Sequence, residues 1–99
     1  MKLIITPDAE FDIVTAQQWY ERERNGLGKQ FRAQMGHSIK RILNNPHAYI
    51  EVYKQIRRVI LNRFPMVLYY ILHEENIIIL ACIHASRSQE YINSRLNLN

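Results

Sequence analysis

One cysteine, three glycines and three prolines are all that this 99-residue chain holds of the residues that staple, hinge or break a fold. The lone thiol, Cys82, has no partner for a disulfide and cannot build a zinc framework, so a reducing cytoplasm is the expected setting. The longest unbroken apolar run, Ile77 to Ile83, is too short to cross a bilayer, and Met1 to Thr6 lacks the apolar core and cleavage site of a secretion signal. Neither export nor a membrane partner is expected. No glycine-rich loop follows a strand pattern, since Gly26-Leu27-Gly28 falls between two helical patterns, and no nucleophile elbow occurs. His37, His47, His73 and His84 are scattered, which argues against a metal or other cofactor. Internal repeats and low-complexity tracts are also missing.

What remains is ordinary globular material, 47% hydrophobic and 22% charged, enough for one domain over residues 1–99 to bury a core unaided. The charge is unevenly placed. Residues 1–25 carry five acids and three bases, whereas residues 26–99 carry four acids and ten bases, within a net charge of +4. Such an excess suits either an anionic partner or a plainly solvated basic surface.

Periodicity divides the chain into elements. Lys2 to Ile5 reads as a strand, and Thr6-Pro7-Asp8 supplies an N-cap, a proline at the first helical position and an acid facing the helix dipole. Ala9, Ile13, Ala16 and Tyr20 form one apolar stripe with Trp19 at its edge, and Asn25 to Gly28 ends that helix. Phe31, Met35, Ile39 and Ile42 mark a second helix, closed by Asn44-Asn45-Pro46, so the two make an antiparallel hairpin. Tyr49–Tyr53, Ile56–Asn62, Met66–His73 and Ile77–His84 then read as four strands whose connections are too short for parallel crossovers. The apolar strand at Ile77 is expected at the centre, Tyr49–Tyr53 at the periphery, and Ser88 to Leu96 as a short helix or extended tail. The fold class is therefore α+β: an N-terminal strand, a two-helix hairpin packed on a largely antiparallel sheet, and a C-terminal helix or tail.

Arginines lie among the apolar residues of this sheet. Alternation sets Arg57, Val59, Leu61 and Arg63 on one face of their strand and Ile56, Arg58, Ile60 and Asn62 on the other. Buried charge is costly unless paired, so part of one face is expected to stay open toward an acidic partner. Arg58 either pairs with Asp12 or Glu51, locking helix to sheet, or offers its planar fork to phosphate or carboxylate. His84 shares its parity with Cys82 and Leu80, and is either a hydrogen-bonded rim residue or an acid or base working near neutral pH. Arg87, three residues on, could stabilise a phosphorane or hold a chain terminus. Phe64, Tyr69 and Tyr70 could stack on bases, or simply fill the core.

Several short motifs follow one another in order: A-x-x-D-I (Ala9, Asp12, Ile13), W-Y (Trp19, Tyr20), G-L-G-x-x-F (Gly26 to Phe31) and I-x-x-I-x-x-x-P (Ile39, Ile42, Pro46). Then come I-R-R (Ile56 to Arg58), R-F-P-x-x-L-Y-Y (Arg63 to Tyr70) and I-H-x-S-R (Ile83 to Arg87). Together they resemble the RelE/ParE superfamily of type II toxin-antitoxin toxins. The resemblance implies a cytoplasmic bacterial or archaeal growth inhibitor neutralised by a cognate antitoxin whose extended or helical segment wraps the sheet and helices. RelE-like members cut messenger RNA on the ribosome. That mechanism would make Glu51 or His84 the proton carrier, Arg58 and Arg87 the phosphate ligands, and Tyr91 a stacking residue. The lysine-rich strand of the ribosome-dependent nucleases is absent, with only Lys54 nearby. ParE-like members instead bind DNA gyrase and trap its cleaved-DNA complex, and R-F-P-x-x-L-Y-Y with H-x-S-R looks nearer to that branch. Lys54, Arg57, Arg63 and Arg95 would then be target-binding cations. A domain that binds partners without toxicity is the third alternative.

Overall fold

The computed structural model describes residues 1–98. Its elements are β1 (Lys2–Ile5), α1 (Pro7–Glu23), α2 (Leu27–Asn44), β2 (Glu51–Tyr53), β3 (Ile56–Ile60), β4 (Met66–His73), β5 (Asn76–His84) and α3 (Gln89–Arg95). α1 starts where its cap signals say it should: the Thr6 hydroxyl accepts from Ala9 N at 3.1 Å, with Pro7 behind it and Asp8 and Glu10 in the first turn. Gly26, at φ 88°, reverses the chain in a region that other residues enter only with strain. The Glu21 carboxylate accepts from Gly26 N and Gly28 N, both at 3.0 Å. A side chain at Gly28 would stand 2.8 Å from the Gln17 carbonyl, so this glycine is what lets the two helices close.

The sheet runs β1-β5-β4-β3-β2, antiparallel throughout except for β1, which lies parallel to β5. Thus β4 and β5 occupy the middle and β2 an edge, as their apolar and alternating patterns imply. Ala9, Ile13, Phe31, Met35 and Ile42 of the hairpin bury against Val59, Leu68, Tyr70, Ile77 and Ile79. Ser38, also fully buried, joins the α2 stripe without being apolar. Among the described residues no helix is long and apolar enough to cross a membrane.

Four expectations need correction. β2 begins only at Glu51, because the preceding segment is tethered by side chains: Tyr70 Oη donates to Pro46 O at 2.7 Å, and Arg57 Nη1 donates to His47 O and Tyr49 O at 3.1 and 2.6 Å. β3 ends at Ile60, and Arg63 sits in the following turn at φ 69°. Leu80 does not share a face with His84. The ladder passes from Tyr69↔Ala81 to Tyr70↔Ile79, and the skipped residue turns Leu80 toward the second face while Cys82 returns to the helical side. That second face is also less open than expected. Ile92 and Leu96 of the C-terminal segment cover Val67, Tyr69, Ala81 and Ile83, leaving Arg58 and Ile60 exposed on the β3 margin.

Candidate functional site

β1 pairs with β5 only as far as Ile79, so the C-terminal half of β5 has no neighbouring strand on that side. Thr6 closes the first gap, its N–H donating to Ile79 O at 3.1 Å. Asp12, one turn into α1, serves the next stretch by accepting from Cys82 N at 2.9 Å through Oδ2. The same oxygen takes Arg95 Nη2 at 2.6 Å, while Arg95 Nη1 reaches the Tyr91 hydroxyl at 3.2 Å. The hydrogen bond that Arg95 donates to Asp12 raises the Arg95 pKa further, and the pair stays largely shielded. Burial, reinforced by the Asp12 charge, pushes the Cys82 thiol up to about 12, which keeps it protonated and unreactive. One carboxylate therefore stitches together helix, sheet edge and C-terminal helix.

Between these elements lies a groove of about 460 Å³, walled by Phe11, Thr15 and Trp19 of α1, Cys82 to His84 of β5, and Tyr91 and Arg95 of α3. Its aromatic wall is unusual because Phe11 is 72% exposed and Trp19 is 50% exposed, although both are large apolar groups. Trp19 stands edge-on to the buried Tyr20 with centroids 5.2 Å apart. At the mouth the Arg87 guanidinium lies 4.3 Å from the Tyr91 ring centroid, and among the described residues it has no carboxylate within ion-pair distance. His84 Nδ1 accepts from Ser86 N at 3.0 Å, which leaves the neutral ring's proton on Nε2. The Ser86 hydroxyl also lies 2.8 Å from Nδ1. Among the described residues, no three of His, Cys, Asp and Glu stand together in a way that could hold a metal ion.

His84, Arg87, Tyr91 and Arg95 thus converge on one groove. The other candidates do not join them. Arg57 faces the helical side and is consumed by the two carbonyls and by Glu51, whose Oε1 lies 3.0 Å from Nη2. Arg58, which the sequence would pair with Asp12 or Glu51, forms neither bond and stands exposed on the opposite face, beside Tyr69. Burial raises the Tyr69 pKa, and Arg58 works against that rise. Lys54 occupies the β2–β3 turn at φ 47° and Arg63 the β3–β4 turn, both exposed. Since β4 separates β3 from β5, Arg58 and His84 are at least about 10 Å apart across the sheet and on opposite faces of it. Sequence reasoning missed Phe11 and the joining role of Asp12. The available signal was Phe11, Thr15 and Trp19 recurring every fourth residue off the core stripe, a second row on one helix.

A family model described as the ParE toxin of a type II toxin-antitoxin system, parDE, matches residues 3–89. Two solved structures share the fold. One, described as the chromosomal ParDE toxin-antitoxin system from P. aeruginosa, aligns with TM-score 0.71 and 21% identity, covering 87% of this chain and 97% of that one. The other, the isolated E. coli RelE toxin, aligns with TM-score 0.64 and 16% identity, covering 99% of this chain and 98% of that one. No curated protein matches the chain.

Proposed function

Because this chain belongs to the ParE toxin family of type II toxin-antitoxin systems, we propose that it is a growth inhibitor that acts by binding DNA gyrase and is held inactive by a cognate antitoxin. The observation that carries this reading is the separation of the chemistry-bearing side chains. A nuclease must hold one phosphate between its cations while a proton carrier reaches the same bond. Here Arg58 is on one face, His84 and Arg87 are at a groove on the other side, and Glu51 is engaged with Arg57 at the far margin. No single phosphodiester can meet all of them. Docking needs no such convergence, because exposed cations on a rigid margin steer an anionic surface and fix its register. Lys54, Arg58 and Arg63 form that margin, with the exposed Ile60 among them supplying apolar contact.

Purified toxin added to gyrase and relaxed plasmid should abolish supercoiling or accumulate cleaved DNA in proportion to dose. Unaltered supercoiling at large toxin excess would contradict the reading. A second reading, ribosome-dependent message cleavage, draws on the clustering of His84, Arg87 and Tyr91 at the groove. It would require those three to suffice without Arg58 or Glu51, and the message ends left after induction distinguish it. Overexpression alone separates both from a domain that binds partners without toxicity, since only a toxin arrests growth.

A further inference from the structure

The outward face of α2 carries a charge that the fold does not use. Residues 24–50 hold five lysines and arginines and no acid, which leaves eight bases against nine acids in the rest of the chain. The whole positive excess of the protein thus belongs to this helix and its two ends. Lys29, Arg32 and Lys40 are exposed on one side of α2, with Arg24 at the turn that leads into it. Among the described residues none of these four has a carboxylate within ion-pair distance. Ala33 and Gly36 lie between them on the same face, at spacings of three and four residues.

Glycine is the poorest helix former after proline, yet Gly36 stands in mid-helix where an added Cβ would meet nothing within 4 Å. Packing does not demand it. What a missing side chain offers on the outside is the close approach of another backbone. The face is therefore a low saddle at Ala33 and Gly36, flanked by Lys29 and Arg32 on one side and Lys40 on the other, about 16 Å from end to end. Protein interfaces centre on large apolar or aromatic anchors, and among the described residues Leu43, at the far end, is the one large apolar group that α2 exposes. A sugar-phosphate strand asks for the opposite, several cations around a shallow crossing.

We propose that the outer face of α2 holds a phosphate strand of the DNA duplex that gyrase has engaged, the strand crossing at Ala33 and Gly36 between the flanking cations. The choice of DNA rests on the reading of the protein as a gyrase inhibitor. Six residues join α2 to β2, so the DNA contact and the gyrase-binding margin are neighbours along the chain.

The test uses the full-length toxin, with a labelled DNA duplex, an RNA duplex of the same length and polyglutamate as probes. Between about 50 and 200 mM salt the wild-type affinity for DNA should fall roughly 100-fold, as about four phosphate contacts require. The triple variant Lys29→Gln, Arg32→Gln, Lys40→Gln should lose only about threefold over that range and bind more weakly throughout. Removing three charges from the margin instead, by Lys54→Gln, Arg58→Gln and Arg63→Gln, should leave the salt dependence nearly unchanged. Gly36→Gln should raise the urea midpoint, because it improves the helix, and still weaken DNA binding. Absence of DNA binding by the wild type, an equal loss in both triple variants, or undiminished binding in Gly36→Gln would overturn the proposal. So would tighter binding of RNA or of polyglutamate, which would give the face to the ribosome or to an acidic protein. With gyrase present, the α2 triple variant should need roughly tenfold more toxin to accumulate cleaved DNA, and an unchanged dose would overturn the link to the target. If the wild type leaves gyrase unaffected, the functional reading fails, while the duplex measurements still decide the face.

Discussion

The α1–α3 groove and the β2–β3 margin use arginine in the same two ways and end with opposite surfaces. In each region one arginine is consumed by the architecture: Arg95 by Asp12 in the groove, Arg57 by Glu51 and two carbonyls at the margin. In each a second arginine is left over, Arg87 over Tyr91 and Arg58 beside Tyr69. The groove surrounds its spare cation with exposed aromatic surface and the margin surrounds its own with further cations and turns. Counting basic residues therefore overstates the charge available to partners. It also hides the fact that Arg58 and Arg87 lie on opposite sides of the sheet.

The comparison can be broken first at its structural arginines. Asp12→Ala removes the carboxylate that pairs with Arg95 and orphans Cys82 N–H, and should cost about 3 kcal/mol of stability while loosening α3. Asp12→Asn, which can still accept from Cys82, should recover part of it. Denaturant unfolding together with amide exchange across Gln89–Arg95 checks both. Arg57→Ala should cost less, about 1–2 kcal/mol, chiefly from the carbonyls of His47 and Tyr49, because the half-exposed Glu51 pair contributes little. An unchanged unfolding midpoint would erase the parallel drawn between Arg57 and Arg95.

The pH dependence sharpens the groove side. Burial raises the Cys82 thiol from 9.0 to about 12, so the folded chain keeps a proton that the unfolded chain releases. Its contribution is complete below the free thiol's pKa and declines as pH rises toward the folded value. Tyr70 behaves alike from 10.0 to about 12. Urea midpoints near pH 8 and about pH 10.5 should differ in the wild type and differ less in Cys82→Ala. An identical drop in the variant would refute the role given to the thiol. The smallest effect on stability belongs to the spare arginine of the margin: Arg58→Ala should shift unfolding by under about 0.5 kcal/mol yet weaken growth arrest.

Much of the fold was legible in the sequence because its punctuation is local. Thr6-Pro7-Asp8, Gly26 and Asn45-Pro46 act through caps, positive φ and blocked N–H groups, and the helices begin and end there. The regular period of β4 carried its limits without error. What alternation could not carry was the extra residue at Leu80, which breaks parity within one strand, or the tethering of Pro46 to Tyr49 by side chains from β3 and β4. The groove was half legible. His84, Arg87 and Tyr91 are close in sequence, but Asp12 joins them only because β1 stops short and leaves the β5 edge for α1 to serve. Which arginine would be spent was decided by such long-range neighbours, and Arg57 and Arg58 look alike until the sheet is assembled.

The separation of Arg58 from His84 underlies the claim that the protein works by binding, and the messages of arrested cells test it most directly. Mapping their 5′ ends after toxin induction should reveal no new codon-phased cleavage while gyrase-linked DNA breaks accumulate. Codon-phased ends that vanish in His84→Ala, with gyrase unaffected, would contradict the account.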